Sequence, residues 1–176
     1  MKKIMEMLQN MKAKNEKKDN KGFSLVELII VIAIMAILVG VVGTQVIPYI
    51  EKSRKAKDVQ VLSGYCTDAM TAYSSNAAKL EANATYLITI TPGTTAWTVS
   101  TTKTGGTASV TTDTTTLTNA FVELNNITTS APKFESNAGK DINKIEITCK
   151  NTGDMITLQV TNNTTDKYSF DNITSK

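Results

Sequence analysis

The sequence contains no histidine and only two cysteines, Cys66 and Cys149. That inventory excludes histidine acid/base catalysis, Ser-His triads and His-containing zinc sites outright. No motif organises a Ser or Lys nucleophile, and Asp154, Asp166 and Asp171 are too scattered to form a calcium loop. Neither an enzyme nor a metal or other cofactor is therefore expected. A chain of 176 residues holds one ordinary domain plus an appendage, not two full-sized domains. Net positive charge is also confined to the first 22 residues. Seven Lys against Glu6, Glu16 and Asp19 give that leader +4, which leaves −1 on the remainder of a chain whose total is +3. Nucleic-acid binding needs a basic stripe on a folded surface, and no such site is evident.

What is present begins with a long apolar run. Between residues 23 and 47 only Glu27 is charged, and residues 28–43 contain no polar side chain. At ~1.5 Å per residue, about 20 helical residues cross a hydrocarbon layer ~30 Å thick, so this run is long enough to span. An ordinary secretory signal fits poorly. No A-x-A-like site follows the run, and the small residue Gly22 precedes it. Lysines ahead of the run place the leader on the cytoplasmic side and the C-terminal domain outside. Glu27 is the anomaly, because an ionisable residue inside a membrane helix marks function by default. The alternative is a carboxylate that snorkels to the interface, helped by the helix dipole.

The string Gly22-Phe23-Ser24-Leu25-Val26-Glu27, running into LIIVIAIMAILVG, resembles the class III signal of type IV pilins and related pseudopilins. The resemblance implies that a prepilin peptidase cuts between Gly22 and Phe23 and N-methylates Phe23. It implies further that Glu27 meets the Phe23 amine of a neighbouring subunit within a filament. Two opposite charges in an apolar medium attract strongly only when both are present, so such a pair reports axial register. Many members of the family carry a Gly near the middle of the span and a Pro some eight residues later. Here Ala36 stands in the former place, the glycines are Gly40 and Gly43, and the proline is Pro48. A kink or melted stretch is therefore expected between Gly40 and Pro48, since both residue types weaken a helix.

Beyond Pro48 the helical pattern turns amphipathic, with Val59, Leu62, Cys66, Ala69 and Tyr73 on one stripe. Glu51, Lys52, Arg54, Lys55, Lys57 and Asp58 are expected to face solvent or neighbouring subunits. The composition then shifts to Thr, Asn and Ser with short alternating strands: Tyr86, Ile88 and Ile90, then Trp97 and Val99. Ile145, Ile147 and Cys149 share one strand face, and Ile156, Leu158 and Val160 share the next. Asn151, Thr152, Gly153 and Asp154 supply a turn between them, and this is the best hairpin in the chain. Residues 168–170 are candidates to close the sheet, and Leu117, Phe121 and Leu124 suggest a short helix or turn. The Thr-rich stretch 111–118 favours extended, exposed backbone. Sequons at Asn83, Asn126, Asn162, Asn163 and Asn172 follow from the Asn and Thr content and are assigned no function. Cys66 and Cys149 both fall on core faces. They could meet in a disulfide, or stay as buried free thiols, and the family's common disulfide is not this one.

The expected architecture is α+β: a long N-terminal helix, membrane-spanning in its first half and amphipathic in its second, packed on an antiparallel β-sheet. Its parts are a leader at 1–22, an apolar helix at 23–50, an amphipathic helix at 51–80 and a β-rich head at 81–176. The resemblance implies the structural subunit of a type IV pilus, in the manner of a type IVa major pilin. Its partners would be further copies of itself in a homopolymeric filament, the prepilin peptidase, the pilus assembly machinery and the cytoplasmic membrane before assembly, with host or surface ligands beyond. Minor pilins and the pseudopilins of type II secretion or competence share the same helix. A membrane-anchored adhesion domain that escapes processing is the reading from a different class.

Overall fold

The computed structural model describes residues 5–6, 23–107, 110–151, 155–164 and 169–175. It divides into two compact units, Met1–Ile47 and Pro48–Lys176. In the first unit, helix α1 (Leu25–Val41) is built almost wholly of Val, Ile, Leu, Met and Ala and buries none of its residues. A π-helical segment, Val42–Val46, follows it. Of the kink or melted stretch expected between Gly40 and Pro48, the melted form is not there, because helical hydrogen bonding continues into α2 (Ile47–Ser75). The reason is local. Pro48 has no N–H to offer the Thr44 carbonyl, and its ring crowds the preceding turn. Widening the ladder over Val42–Val46 absorbs that mismatch, and Thr44 Oγ1 donates back to the Gly40 carbonyl at 3.1 Å.

The second unit is a five-stranded sheet with helices on one face. The strands are β1 (Thr85–Thr91), β2 (Thr98–Thr104), β3 (Ile142–Cys149), β4 (Ile156–Asn162) and β5 (Ile173–Ser175). Their order is β2-β1-β3-β4-β5, with every neighbour antiparallel. Alternation places Tyr86, Ile88 and Ile90 opposite Cys149, Ile147 and Ile145, and these in turn opposite Ile156, Leu158 and Val160. Apolar rows therefore run straight across three strands, and a slip of one residue would turn every one of them to solvent. On this floor α2 lays Leu62, Tyr65, Cys66, Ala69, Ala72 and Tyr73, recurring at three- and four-residue spacing. Tyr73 meets Tyr86 of β1 with ring centroids 6.1 Å apart. Each large side chain so buried contributes on the order of 1.5–3 kcal/mol. The fold is the expected α+β arrangement of a long helix on an antiparallel sheet.

Three expectations need correction. The stretch 111–118 is not extended; it lies in helix α3 (Val110–Asn125). Asp113, Leu117 and Phe121, spaced by four, are buried, and Phe121 meets Tyr65 edge-on at 6.3 Å. The threonines tolerate the helix because their hydroxyls bond back one turn, Thr116 to the Thr112 carbonyl and Thr118 to Thr114, both at 2.8 Å. Tertiary burial thus overrides the preference of threonine for strands. The sheet is closed by β5 and not by residues 168–170. Phe170 is buried just ahead of β5, while Tyr168 lies outside the described residues. Asp58 faces neither solvent nor a neighbour. It is 2% exposed, and its carboxylate accepts from the backbone N–H groups of Glu135 at 3.0 Å and Ser136 at 2.9 Å, and from the Ser136 hydroxyl. That anchors the loop leading into the short helix α4 (Asn137–Lys140), whose first N–H bonds Glu51. The β3–β4 hairpin has the expected register, closed by Lys150 N–H on the Met155 carbonyl at 3.0 Å. Its turn residues Thr152, Gly153 and Asp154 lie outside the described residues.

Candidate processing and assembly site

The site is the N-terminal end of α1. Ser24 takes an extended conformation, φ −64° and ψ 140°, and its hydroxyl accepts from the Val26 N–H at 3.3 Å. Glu27 reaches back so that its Oε2 accepts from the Ser24 N–H at 2.9 Å. Together these form a capping box, in which two side chains satisfy donors that a helix end otherwise leaves unpaired. Phe23 stands just ahead, 90% exposed. The structure thus holds the Glu27 carboxylate next to the residue that cleavage would make N-terminal. Gly22 and the leader before it lie outside the described residues. The capping box was missed in the sequence reading, although the spacing Ser24-x-x-Glu27 ahead of an apolar run is its signature.

Geometry decides what this end can do. Among the described residues it carries no second carboxylate, thiol or amine placed for chemistry, so its capacity is to present one carboxylate at the positive end of a helix dipole. The surrounding helix cannot rest in water. Its apolar residues from Leu25 to Ile47 are exposed, and the helical stretch Leu25–Ser75 contains a window of mean hydropathy 3.1, long and apolar enough to cross a membrane. Gly40 and Gly43 have open space where a Cβ would project, so neither permits a close contact within the isolated chain. Residues 17–43 match the family model of the prokaryotic N-terminal methylation motif. The chain carries a type IV pilin-like prepilin signal. No curated protein and no solved structure matches the chain significantly. The methylation motif is that of structural pilin-type proteins, pilins or pseudopilins, and not of an enzyme family. It implies processing by a prepilin peptidase and assembly, and with the apolar helix it is consistent with membrane anchoring.

The two cysteines sit in the second unit. Both are buried free thiols, Cys66 on α2 and Cys149 on β3. Burial pushes Cys66 up to about 11, and burial together with the charge of Cys66 pushes Cys149 up to about 12. Such thiols are inert towards alkylation or exchange near neutral pH. Tyr65 is likewise raised to about 12, first by burial and then by Asp68.

Proposed function

We propose that the chain is the structural subunit of a type IV pilus. A prepilin peptidase cuts the membrane-inserted precursor between Gly22 and Phe23 and N-methylates Phe23, and the product polymerises into a surface filament. The observation that carries this reading is the coincidence of the methylation motif over residues 17–43 with an apolar helix that buries none of its own residues. Lipid covers that helix before assembly, and the helices of other copies cover it afterwards. Glu27 then exchanges its local partner, the Ser24 N–H, for the Phe23 amine of a neighbour, so that both charges leave water together. The second unit, Pro48–Lys176, forms the filament surface, in the service of adhesion, twitching motility or biofilm formation.

The test is the N-terminus of the mature chain. Mass spectrometry of surface filaments is expected to return a subunit beginning at methylated Phe23. Replacing Gly22 with Leu is expected to leave the full-length chain in the membrane and to abolish filaments. A mature N-terminus at Phe23 in that variant, or filaments built from the uncut chain, would refute the assignment.

A further inference from the structure

One cluster of reactive groups in the head is used by nothing described so far. Lys103 lies on β2, on the inward face shared with Val99 and Thr101, and its side chain is 1% exposed. Its Nζ donates to Glu81 Oε2 at 2.6 Å and to Asp113 Oδ2 at 2.9 Å. The carboxylates come from different elements, Glu81 from the loop before β1 and Asp113 from α3, with side chains 20% and 11% exposed. Tyr86, fully buried on β1, donates its hydroxyl to the same Asp113 oxygen at 3.1 Å and accepts from the Glu81 N–H at 2.9 Å. Glu81 Oε1 is held by the backbone N–H and hydroxyl of Thr107. A Cβ on Gly106, whose φ is +80°, would collide with the Glu81 carboxylate, so this glycine lets the loop close over the cluster. An amine, a carboxyl group, a second carboxylate and a hydroxyl donor are thus brought together out of water.

We propose that Lys103 and Asp113 condense into an intramolecular isopeptide bond, with Glu81 relaying the proton and Tyr86 holding the Asp113 oxygen that departs. A proton passes from the Lys103 ammonium to the Asp113 carboxylate across their hydrogen bond, giving a neutral amine beside a neutral acid. The Nζ lone pair then attacks Cγ, and the carbonyl electron pair moves onto Oδ1, while the protonated Oδ2, which faces Tyr86, is left as the departing hydroxyl. The nitrogen, now cationic, gives a proton to Glu81, which passes it to the departing hydroxyl. The C–O bond breaks, one water leaves, and an amide remains with Glu81 again a carboxylate. An ammonium and a carboxylate have become an amide and water, with nothing oxidised or reduced.

Two physical terms favour the step. Holding reacting groups in contact replaces a bimolecular encounter with an effective concentration on the order of 10⁵–10⁸ M. Burial weakens the ion pair relative to its neutral form by removing the solvation of both charges. The two carboxylates hold Lys103 protonated at rest, so the reaction is a slow, single event after folding and not a cycle. Its product ties edge strand β2 covalently to α3, which no hydrogen bond does permanently. The inference is independent of whether the subunit assembles.

The test is the intact mass of the purified full-length chain after denaturation, followed by tryptic mapping. The wild-type chain is expected to be lighter by one water than its sequence requires, whichever N-terminus it carries. Mapping is expected to show no cleavage after Lys103 and a branched peptide joining it to the Asp113 segment. Lys103→Arg and Asp113→Ala are expected to restore the full mass, and Glu81→Gln to leave most chains uncondensed. Where a variant fails to fold, the wild-type map decides alone. A wild-type chain at full mass, a linear Lys103 peptide, a water lost elsewhere or a branch onto Glu81 overturns the proposal.

Discussion

Substitutions at Glu27 separate the capping role that the structure shows from the pairing role proposed for the filament. In the unassembled chain Glu27 completes a capping box on the Ser24 N–H at 2.9 Å, and in the proposed filament it pairs with a neighbour's amine. Glu27→Gln keeps an acceptor at the same reach and removes the charge, whereas Glu27→Val removes both. A cap of this kind contributes about 1 kcal/mol, roughly a factor of five in the equilibrium of the helix end. Removing one partner of a buried ion pair costs about 3–5 kcal/mol, because the other charge is left stranded. At about 1.4 kcal/mol per tenfold, that is a loss of two to three and a half powers of ten in subunit association. The two effects therefore differ enough to be told apart by counting filaments. Each variant is expressed, its processing and membrane level are read by blot, and surface filaments are counted by electron microscopy. Glu27→Gln is expected to reach the wild-type membrane level with filaments reduced at least about a hundredfold. Glu27→Val is expected to assemble as poorly and to be slightly less abundant, having lost its cap. Wild-type filament numbers from Glu27→Gln would refute the ion pair, and a defect confined to Glu27→Val would reduce Glu27 to a helix cap.

A fragment beginning at Pro48 is expected to unfold in one cooperative urea transition, since the buried stripe of α2 is covered by its own sheet. Leu62→Ala in that fragment is expected to cost about 2–5 kcal/mol, because Leu62 is fully buried; a midpoint unchanged from wild type would place this stripe outside the core. Asp58→Ala removes the acceptor of the Glu135 and Ser136 N–H groups and is expected to cost about 1–3 kcal/mol for each donor left buried, with Asp58→Asn milder. Equal urea midpoints for the two variants would contradict that account. Stability is also expected to fall as pH rises above about 9. Unfolded thiols lose their protons near the ordinary value of 9.0, while Cys66 and Cys149 keep theirs to about 11 and about 12, so the unfolded chain binds fewer protons in that window. Full stability is present below it, and a midpoint that is flat or rising between pH 9 and 11 would reverse the assignment.

Much of this molecule was legible because burial and periodicity coincide. The stripe from Leu62 to Tyr73 and the alternation in β1, β3 and β4 each repeat with the period of their element. A pattern read in one dimension therefore points to the correct face. The Gly40–Pro48 region was legible as a place of stress but not in its outcome. A ladder short of one donor can break or widen, and here the Thr44 hydroxyl joins a widened turn.

Polar residues were the part that composition misjudged, and for one physical reason. A charged residue is favoured in the interior only when partners distant in sequence satisfy it, and no local window contains those partners. Asp58 reads as one more charge in a solvated helix face until residues 135 and 136 arrive beneath it. Lys103 obeys the alternation of β2 and so had to point inward, but that reading becomes tolerable only when Asp113 is on a helix and Glu81 is near. The Thr-rich composition of residues 111–118 suggested extended, exposed backbone and hid the first half of that helix. The four-residue spacing of Asp113, Leu117 and Phe121 marked it, with an acid in the first place where a core residue was looked for. A buried carboxylate at helical spacing from two apolar residues is thus a request for a cation elsewhere in the chain. In this chain the inward-facing lysine of an edge strand answers it.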